Sequence, residues 1–152
     1  QTVILIMTCP CQKQYINAKT YANCCQPFHQ GLPVPTAEAL MRSRFSAYVL
    51  GLSDYLTKTW HSDTCPSTLT VEPDSQWLKL EIISASNNQV HFKAFFKDSD
   101  GFQYLEESSN FTSENSKLVY LDGATEVGKA TLNRNDLCLC GSGKKFKKCC
   151  EK

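Results

Sequence analysis

"PTAEALMRSRFSAYVLG" (35–51) decides the fold. Its apolar residues fall at 37, 40, 41, 45, 48 and 49, with 52 just beyond, the i, i+3, i+4, i+7 stripe of an amphipathic helix. Pro35 and Thr36 open that helix, Thr36 as its N-cap, and Gly51 stands near its end. Arg44 interrupts the stripe four residues after Leu40 and four before Tyr48, so its guanidinium is expected to face the core or a cleft. A buried arginine is expected to need a carboxylate.

Downstream, a second short helix is expected around 53–60, capped by Ser53, followed by the turn-rich "SDTCPSTLTVEPDS" (62–75). Four runs rich in β-branched and aromatic residues come next: "WLKLEIISAS" (77–86), "QVHFKAFFKD" (89–98), "GFQYLEESSNFT" (101–112) and "KLVYLDG" (117–123). With "NN", "DSDG" and "SENS" at the turns, they read as an antiparallel meander. Helices followed by a twisted sheet make an α+β domain in which the helices cover one sheet face and leave a conical pocket between.

Alternation places Val90, Phe92, Ala94 and Phe96 on one side of their strand, and Leu105, Glu107, Ser109 and Phe111 on one side of the next. Glu107 is the odd charge among apolar neighbours. Arg44 is therefore expected to pair with Glu107 or Glu106, as a structural tie between helix and sheet before any catalytic role. His61, after Trp60 at a helix end, is the candidate pocket base, since imidazole exchanges protons near neutrality, although a surface cap is the commoner role. Asp54, Tyr120 and Asp122 read as cap and turn residues and His91 as solvated. Cys65 has no base near it in sequence.

Charge is uneven along the 152 residues. Residues 1–32 hold two lysines and no acid, residues 33–132 hold eight cations against thirteen anions, and residues 133–152 hold six against two. A hydrophobic fraction of 41% is enough for a core. The opening "QTVILIM" is too short and lacks the basic flank of a signal peptide, and no later run approaches the roughly 20 apolar residues that cross a bilayer. A reducing, cytoplasmic setting without membrane contact is expected.

Eight of the nine cysteines sit at the two ends as copies of C-x-C…C-C: Cys9, Cys11, Cys24 and Cys25, then Cys138, Cys140, Cys149 and Cys150. Four thiolates make a closed tetrahedral shell for Zn²⁺, the mark of a structural site. In the second copy, "CGSGKKFKKCC" (140–150) places Gly141-Ser142-Gly143 where a turn can bring amide N–H groups to sulfur, and Lys144, Lys145, Lys147 and Lys148 where they offset the shell's excess negative charge. Phe146 is expected to cover the cluster or dock on the central domain. Two disulfides are the competing account, disfavoured by adjacent cysteines and a reducing setting. "GSGKK" fails the spacing of a phosphate loop. The first copy has twelve residues between its pairs instead of eight and no Gly-Ser-Gly turn, so a second zinc, free thiols, or His29 as substitute ligand stay open there.

"RNDLCLCGSGKKFKKCC" (134–150) resembles the SEC-C zinc motif, named for the C-terminal end of the SecA translocation ATPase, with Leu137 and Leu139 where prolines are usual. That resemblance implies Cys138, Cys140, Cys149 and Cys150 as zinc ligands. "CPC", "YANCCQPFHQG", "PTAEALMRSRFSAYVLG", "YLTKTWH" and "YLDG", in that order, resemble the YchJ-like family of bacterial proteins. Membership implies a cystatin-like, nuclear-transport-factor-like α+β cone at 33–132, flanked by SEC-C-type segments at 1–32 and 133–152. It implies no particular activity.

Three functions are consistent with these readings. The first is an adaptor docking on a protein or ribonucleoprotein partner through the basic zinc tail, as SecA's own motif docks on another protein. The second is a small enzyme or ligand carrier using the pocket, with Arg44, His61 and Glu107 as the residues to test, though no spaced catalytic signature supports it. The third, nucleic-acid binding by the tail lysines, is weakened by the shell's negative charge.

Overall fold

In the computed structural model, which describes residues 7–13, 15, 17–71 and 77–151, three α-helices precede four strands. They are α1 (Gln26–His29), α2 (Ala37–Leu50), α3 (Ser53–Lys58), β1 (Trp77–Ala85), β2 (Gln89–Asp98), β3 (Gly101–Glu114) and β4 (Lys117–Lys129). The apolar opening at 1–6 and positions 72–75 of the turn-rich stretch lie outside the described residues.

Thr36 caps α2 as its sequence predicts, its Oγ1 accepting the Ala39 N–H at 3.0 Å, and Gly51 closes the helix with φ 74°. The burial of α2 is wider than one stripe: Ser43, Arg44, Ser46 and Ala47 are buried along with Leu40, Met41 and Phe45. One side packs on the sheet and the other is covered by the N-terminal cysteine segment. Arg42 clamps that segment, donating to the Cys11 carbonyl at 3.1 Å and the Tyr15 hydroxyl at 2.7 Å while pairing with Glu38 at 3.0 Å. The second helix departs from expectation, ending at Lys58 with Leu52 at its N-cap position. Ser53 is not a cap because its hydroxyl accepts the Val71 N–H at 2.7 Å and so ties down the following loop.

The sheet is the expected antiparallel meander in the order β1-β2-β3-β4. Its inner face carries Leu80, Val90, Phe92, Ala94 and Phe111 against Leu40, Met41 and Phe45 of α2, as alternation predicted. β4 runs six residues past the expected end, to Lys129. Gly123 and Gly128 mask it in the sequence, since glycine ordinarily weakens a strand. Tyr120 is thus a strand residue rather than a turn residue, and Asp122 sits in β4, where it accepts from Asn110 at 2.8 Å.

Candidate metal centres and an inner cavity

The structure gathers each cysteine quartet. In both sets the four Sγ atoms lie within 4.8 Å of one another, and none of the nine cysteines is in a disulfide. A tetrahedral ion bound by thiolates at about 2.3 Å sets its sulfurs roughly 3.8 Å apart, whereas a disulfide demands about 2.05 Å. In the N-terminal set Cys11 stands 3.7, 3.6 and 3.7 Å from Cys9, Cys24 and Cys25, and Cys24 stands 3.9 Å from Cys25. Those distances fit one metal ion, and the donor set fits it chemically.

Four thiols this close cannot all ionise unaided. Cys9 is held below the ordinary thiol range, chiefly through its contact with Cys11, while Cys25 is pushed up, first by Cys11 and then by Cys24. A central cation removes that conflict.

The environments of the two sets differ. Cys9, Cys11 and Cys25 belong to the core, and Ser46 of α2 reaches them with its hydroxyl 3.5 Å from Cys9 Sγ and 3.3 Å from Cys25 Sγ. The set that lacks the glycine turn is therefore the better buried, with α2 doing the work of the missing loop. His29 is not a substitute ligand: Nδ1 lies 2.6 Å from the Tyr21 hydroxyl and Nε2 lies 2.8 Å from the Ser43 carbonyl, so both ring nitrogens are engaged.

The C-terminal set is a surface knuckle. Gly141 and Gly143 adopt φ of 87° and 82°, a region open to glycine, and carry the chain round so that Ser142 donates to Cys149 Sγ at 3.2 Å. Cys140 is lowered to about 6, first by the Ser142 hydroxyl, then by Cys149, with the Ser142 amide also contributing as the glycine turn led one to expect. Cys140 and Cys149 stand 3.3 Å apart, and Cys149 and Cys150 3.9 Å. Phe146 docks on the domain, its ring 6.4 Å from that of Phe102 in an edge-to-face contact.

Between α2 and the sheet lies the expected pocket, a cavity of about 280 Å³ walled largely by apolar side chains together with Arg44, Trp60, Glu107 and Tyr120. Arg44 is 3% exposed, yet the direct pair with Glu107 or Glu106 does not form among the described residues. Its Nη1 donates to the Leu56 carbonyl at 3.0 Å and Thr59 Oγ1 at 2.7 Å, and its guanidinium lies 5.0 and 4.8 Å from the ring centroids of Trp60 and Tyr120. Burial draws the guanidinium below its ordinary value. Glu107 instead accepts the Tyr120 hydroxyl at 2.7 Å, and Glu106, on the other sheet face, pairs with His91 at 2.5 Å.

His61 does not line this cavity. Its backbone N–H bonds the Tyr120 carbonyl at 2.7 Å, and its ring lies between Asp63 and Glu114, 3.8 and 3.9 Å from their carboxylates. Tyr120 and Trp60 are the cavity residues that sequence reasoning undervalued. Trp60 Nε1 is the buried side-chain polar atom without a partner among the described residues. The signal for Tyr120 was its alternation with Leu118, which sets it inward opposite Phe111 on β3, whereas a register shift after it turns Asp122 to the other face beside Asn110. No helix among the described residues is long and apolar enough to cross a membrane.

Comparison with known proteins agrees with this architecture. A family model described as YchJ, middle NTF2-like domain, matches residues 36–123, and the SEC-C motif matches 134–152. A UPF0225 protein of Vibrio parahaemolyticus is 39% identical over 168 residues, spanning 94% of this chain and 98% of its own. Relatives of the same name in Vibrio cholerae and Deinococcus radiodurans are 40% identical over 157 residues and 42% identical over 118, covering 95% and 76% of this chain and 99% and 88% of theirs. The crystal structure of a SEC-C motif containing protein from Psychrobacter arcticus superposes with a TM-score of 0.64 at 33% identity, covering 98% of both chains. The match of the YchJ middle NTF2-like domain and the SEC-C motif, with 39–40% identity to the Vibrio relatives along 94–95% of its length, makes this chain a member of the YchJ-like UPF0225 family.

Proposed function

We propose that each cysteine quartet holds one Zn²⁺ in a closed structural shell, and that the protein is a cytoplasmic adaptor whose basic tail docks on a protein or ribonucleoprotein partner. The observation that carries this reading is the pair of four-sulfur clusters at tetrahedral spacing. A tetrahedral all-thiolate set suits Zn²⁺, and a full shell leaves no position for a reacting water. Cys9, Cys11, Cys24 and Cys25 would fix the N-terminal segment against α2, while Cys138, Cys140, Cys149 and Cys150 would hold the exposed knuckle that presents Lys144, Lys145, Lys147 and Lys148. A reducing compartment keeps such thiols available.

Elemental analysis of protein purified without added metal tests the first half. Two zinc ions per chain are expected; none, with all thiols free, overturns it. Cross-linking in cells tests the second half. A partner that is lost when the four tail lysines become alanine, with metal content unchanged, supports docking, and an unaltered set of cross-links removes it.

A second reading rests on the cavity. A desolvated guanidinium without a carboxylate contact, beside an unpartnered indole N–H, favours a small ligand with an apolar body and an acidic head, carried or transformed there. Small aromatic acids should then raise the melting temperature of the wild type and not of Arg44→Met. No shift with any of them leaves Arg44 as a structural residue alone.

A further inference from the structure

The sheet face opposite the cavity carries an arrangement that neither the metal centres nor the pocket uses. In register, Lys79, Phe95, Tyr104 and Gly128 form one row across all four strands, and Lys97 and Phe102 form the next row on the two central ones. Each ring carries an ammonium: Lys79 Nζ lies 5.3 Å from the Phe95 centroid, Lys93 Nζ 4.8 Å from that of Tyr104, and Lys97 Nζ 5.4 Å from that of Phe102.

Gly128 lets the Tyr104 ring lie across β4. A Cβ there would stand 2.7, 2.8 and 2.9 Å from Tyr104 Oη, Cζ and Cε2, so any larger residue would tip the ring off the sheet. Beside this row runs a groove of about 590 Å³ that also includes Lys129, Leu137 and Leu139, with Asp136 as its acid. The row beyond sets Glu81, Glu106 and Glu126 around Lys93, whose ammonium reaches back over Tyr104, so it is acidic apart from that lysine. The face is therefore polarised, with its basic aromatic end nearest the tail, where Phe102 meets Phe146.

We propose that this basic aromatic end binds a short stretch of single-stranded nucleic acid, with bases stacked on Phe95, Tyr104 and Phe102 and phosphates held by Lys79, Lys93, Lys97 and Lys129. Rings at registered positions on the two central strands offer stacking faces to successive bases, and the lysines that now lie over those faces swing to phosphates when bases replace them. An acidic peptide would use the ammonium groups and leave the rings idle. The inference goes beyond the adaptor reading, because it places a ligand on the sheet rather than on the zinc tail.

The test is fluorescence anisotropy of labelled twelve-residue oligouridine and oligothymidine against the full zinc-loaded chain. Binding is expected to weaken with salt at a logarithmic slope of about −2 to −3, each of three or four phosphate contacts contributing about −0.7. Phe95→Ala and Tyr104→Ala, folded by circular dichroism, should each lose about 5- to 150-fold in affinity, while Tyr104→Phe retains it. Absence of binding to either oligomer overturns the proposal. So does loss confined to the tail-lysine variant, which would assign the ligand to the knuckle. So too does polyglutamate competing with the oligomers while Tyr104→Ala leaves their affinity unchanged, which would make the face an acidic-peptide site.

Discussion

Arg44 and Glu107 face one cavity without touching; Tyr120 stands between them, its ring 4.8 Å from the guanidinium carbon and its hydroxyl donating to Glu107 Oε2 at 2.7 Å. The phenol serves both charges, its ring face the cation and its O–H the anion. Tyr120 is accordingly held well above the ordinary phenol range, first by burial and then by Glu107. Tyr120→Phe keeps the ring and removes the donor, leaving a largely buried carboxylate short of a partner. The expected loss is about 1–3 kcal/mol, read from the urea midpoint at unchanged m-value.

The same carboxylate depends on Gly123. A Cβ there would fall 1.9 Å from Glu107 Oε2 and 2.7 Å from its Cδ, a conflict that the flexible Glu107 side chain relieves by swinging away from Tyr120. Gly123→Ala should therefore remove the same hydrogen bond from the other side. In a double-mutant cycle with Tyr120→Phe the two losses should fall short of additive by about 0.5–1.5 kcal/mol. Full additivity would mean that Gly123 serves only the backbone.

The sequence exposed those features that depend on local period and ligand type. The helix cap at Thr36, the four strands and the inward set Phe92, Ala94, Glu107 and Ser109 all follow from alternation and capping chemistry, which act within a few residues. What stayed hidden was tertiary. The second buried side of α2 could not be read because Ser43 and Ser46 are polar, and they are inside because the N-terminal cysteine segment folds over Ser46 while His29 of α1 and Tyr55 of α3 meet Ser43. Arg44 pointed correctly to a buried cation, but charge arithmetic looked for a carboxylate where Trp60 and Tyr120 supply π-faces from two distant segments. Cysteine spacing pointed to the C-terminal quartet, left the N-terminal one open, and could not show that the set lacking the glycine turn is gathered as well and lies deeper.

That difference in depth separates the consequences of losing a ligand. Cys25 is 1% exposed and joins the core of α2 and the sheet, whereas Cys149 sits in a surface knuckle that meets the domain through Phe146 on Phe102. On the proposal that each quartet holds zinc, Cys149→Ser is expected to cost the central transition less than about 0.5 kcal/mol while releasing one zinc and fraying the tail to proteolysis. Cys25→Ser should cost about 4 kcal/mol or more, as loss of a buried metal shell does. Zinc release by a thiol-reactive mercurial, followed alongside far-ultraviolet circular dichroism, checks both. Equal losses of sheet signal would make the knuckle part of the core.

His29 adds a pH dependence whose sign its surroundings determine. Burial holds its imidazole below the ordinary 6.5, outweighing the Ser43 carbonyl that favours the proton. Bonded to that carbonyl through Nε2 and to the Tyr21 hydroxyl through Nδ1, the neutral ring donates once and accepts once. Well above pH 6.5 folded and unfolded chains carry the same charge here and the residue contributes no slope. Below it the unfolded chain takes up a proton that the folded chain refuses until a lower pH, so stability falls on acidification by at most about 1.4 kcal/mol per pH unit. Gln in place of His29 can still donate to the Ser43 carbonyl but cannot titrate. Urea midpoints between pH 7.5 and 5.5 should decline more shallowly for His29→Gln than for the wild type. Parallel declines would place the acid sensitivity elsewhere, first of all in proton competition for the cysteine quartets.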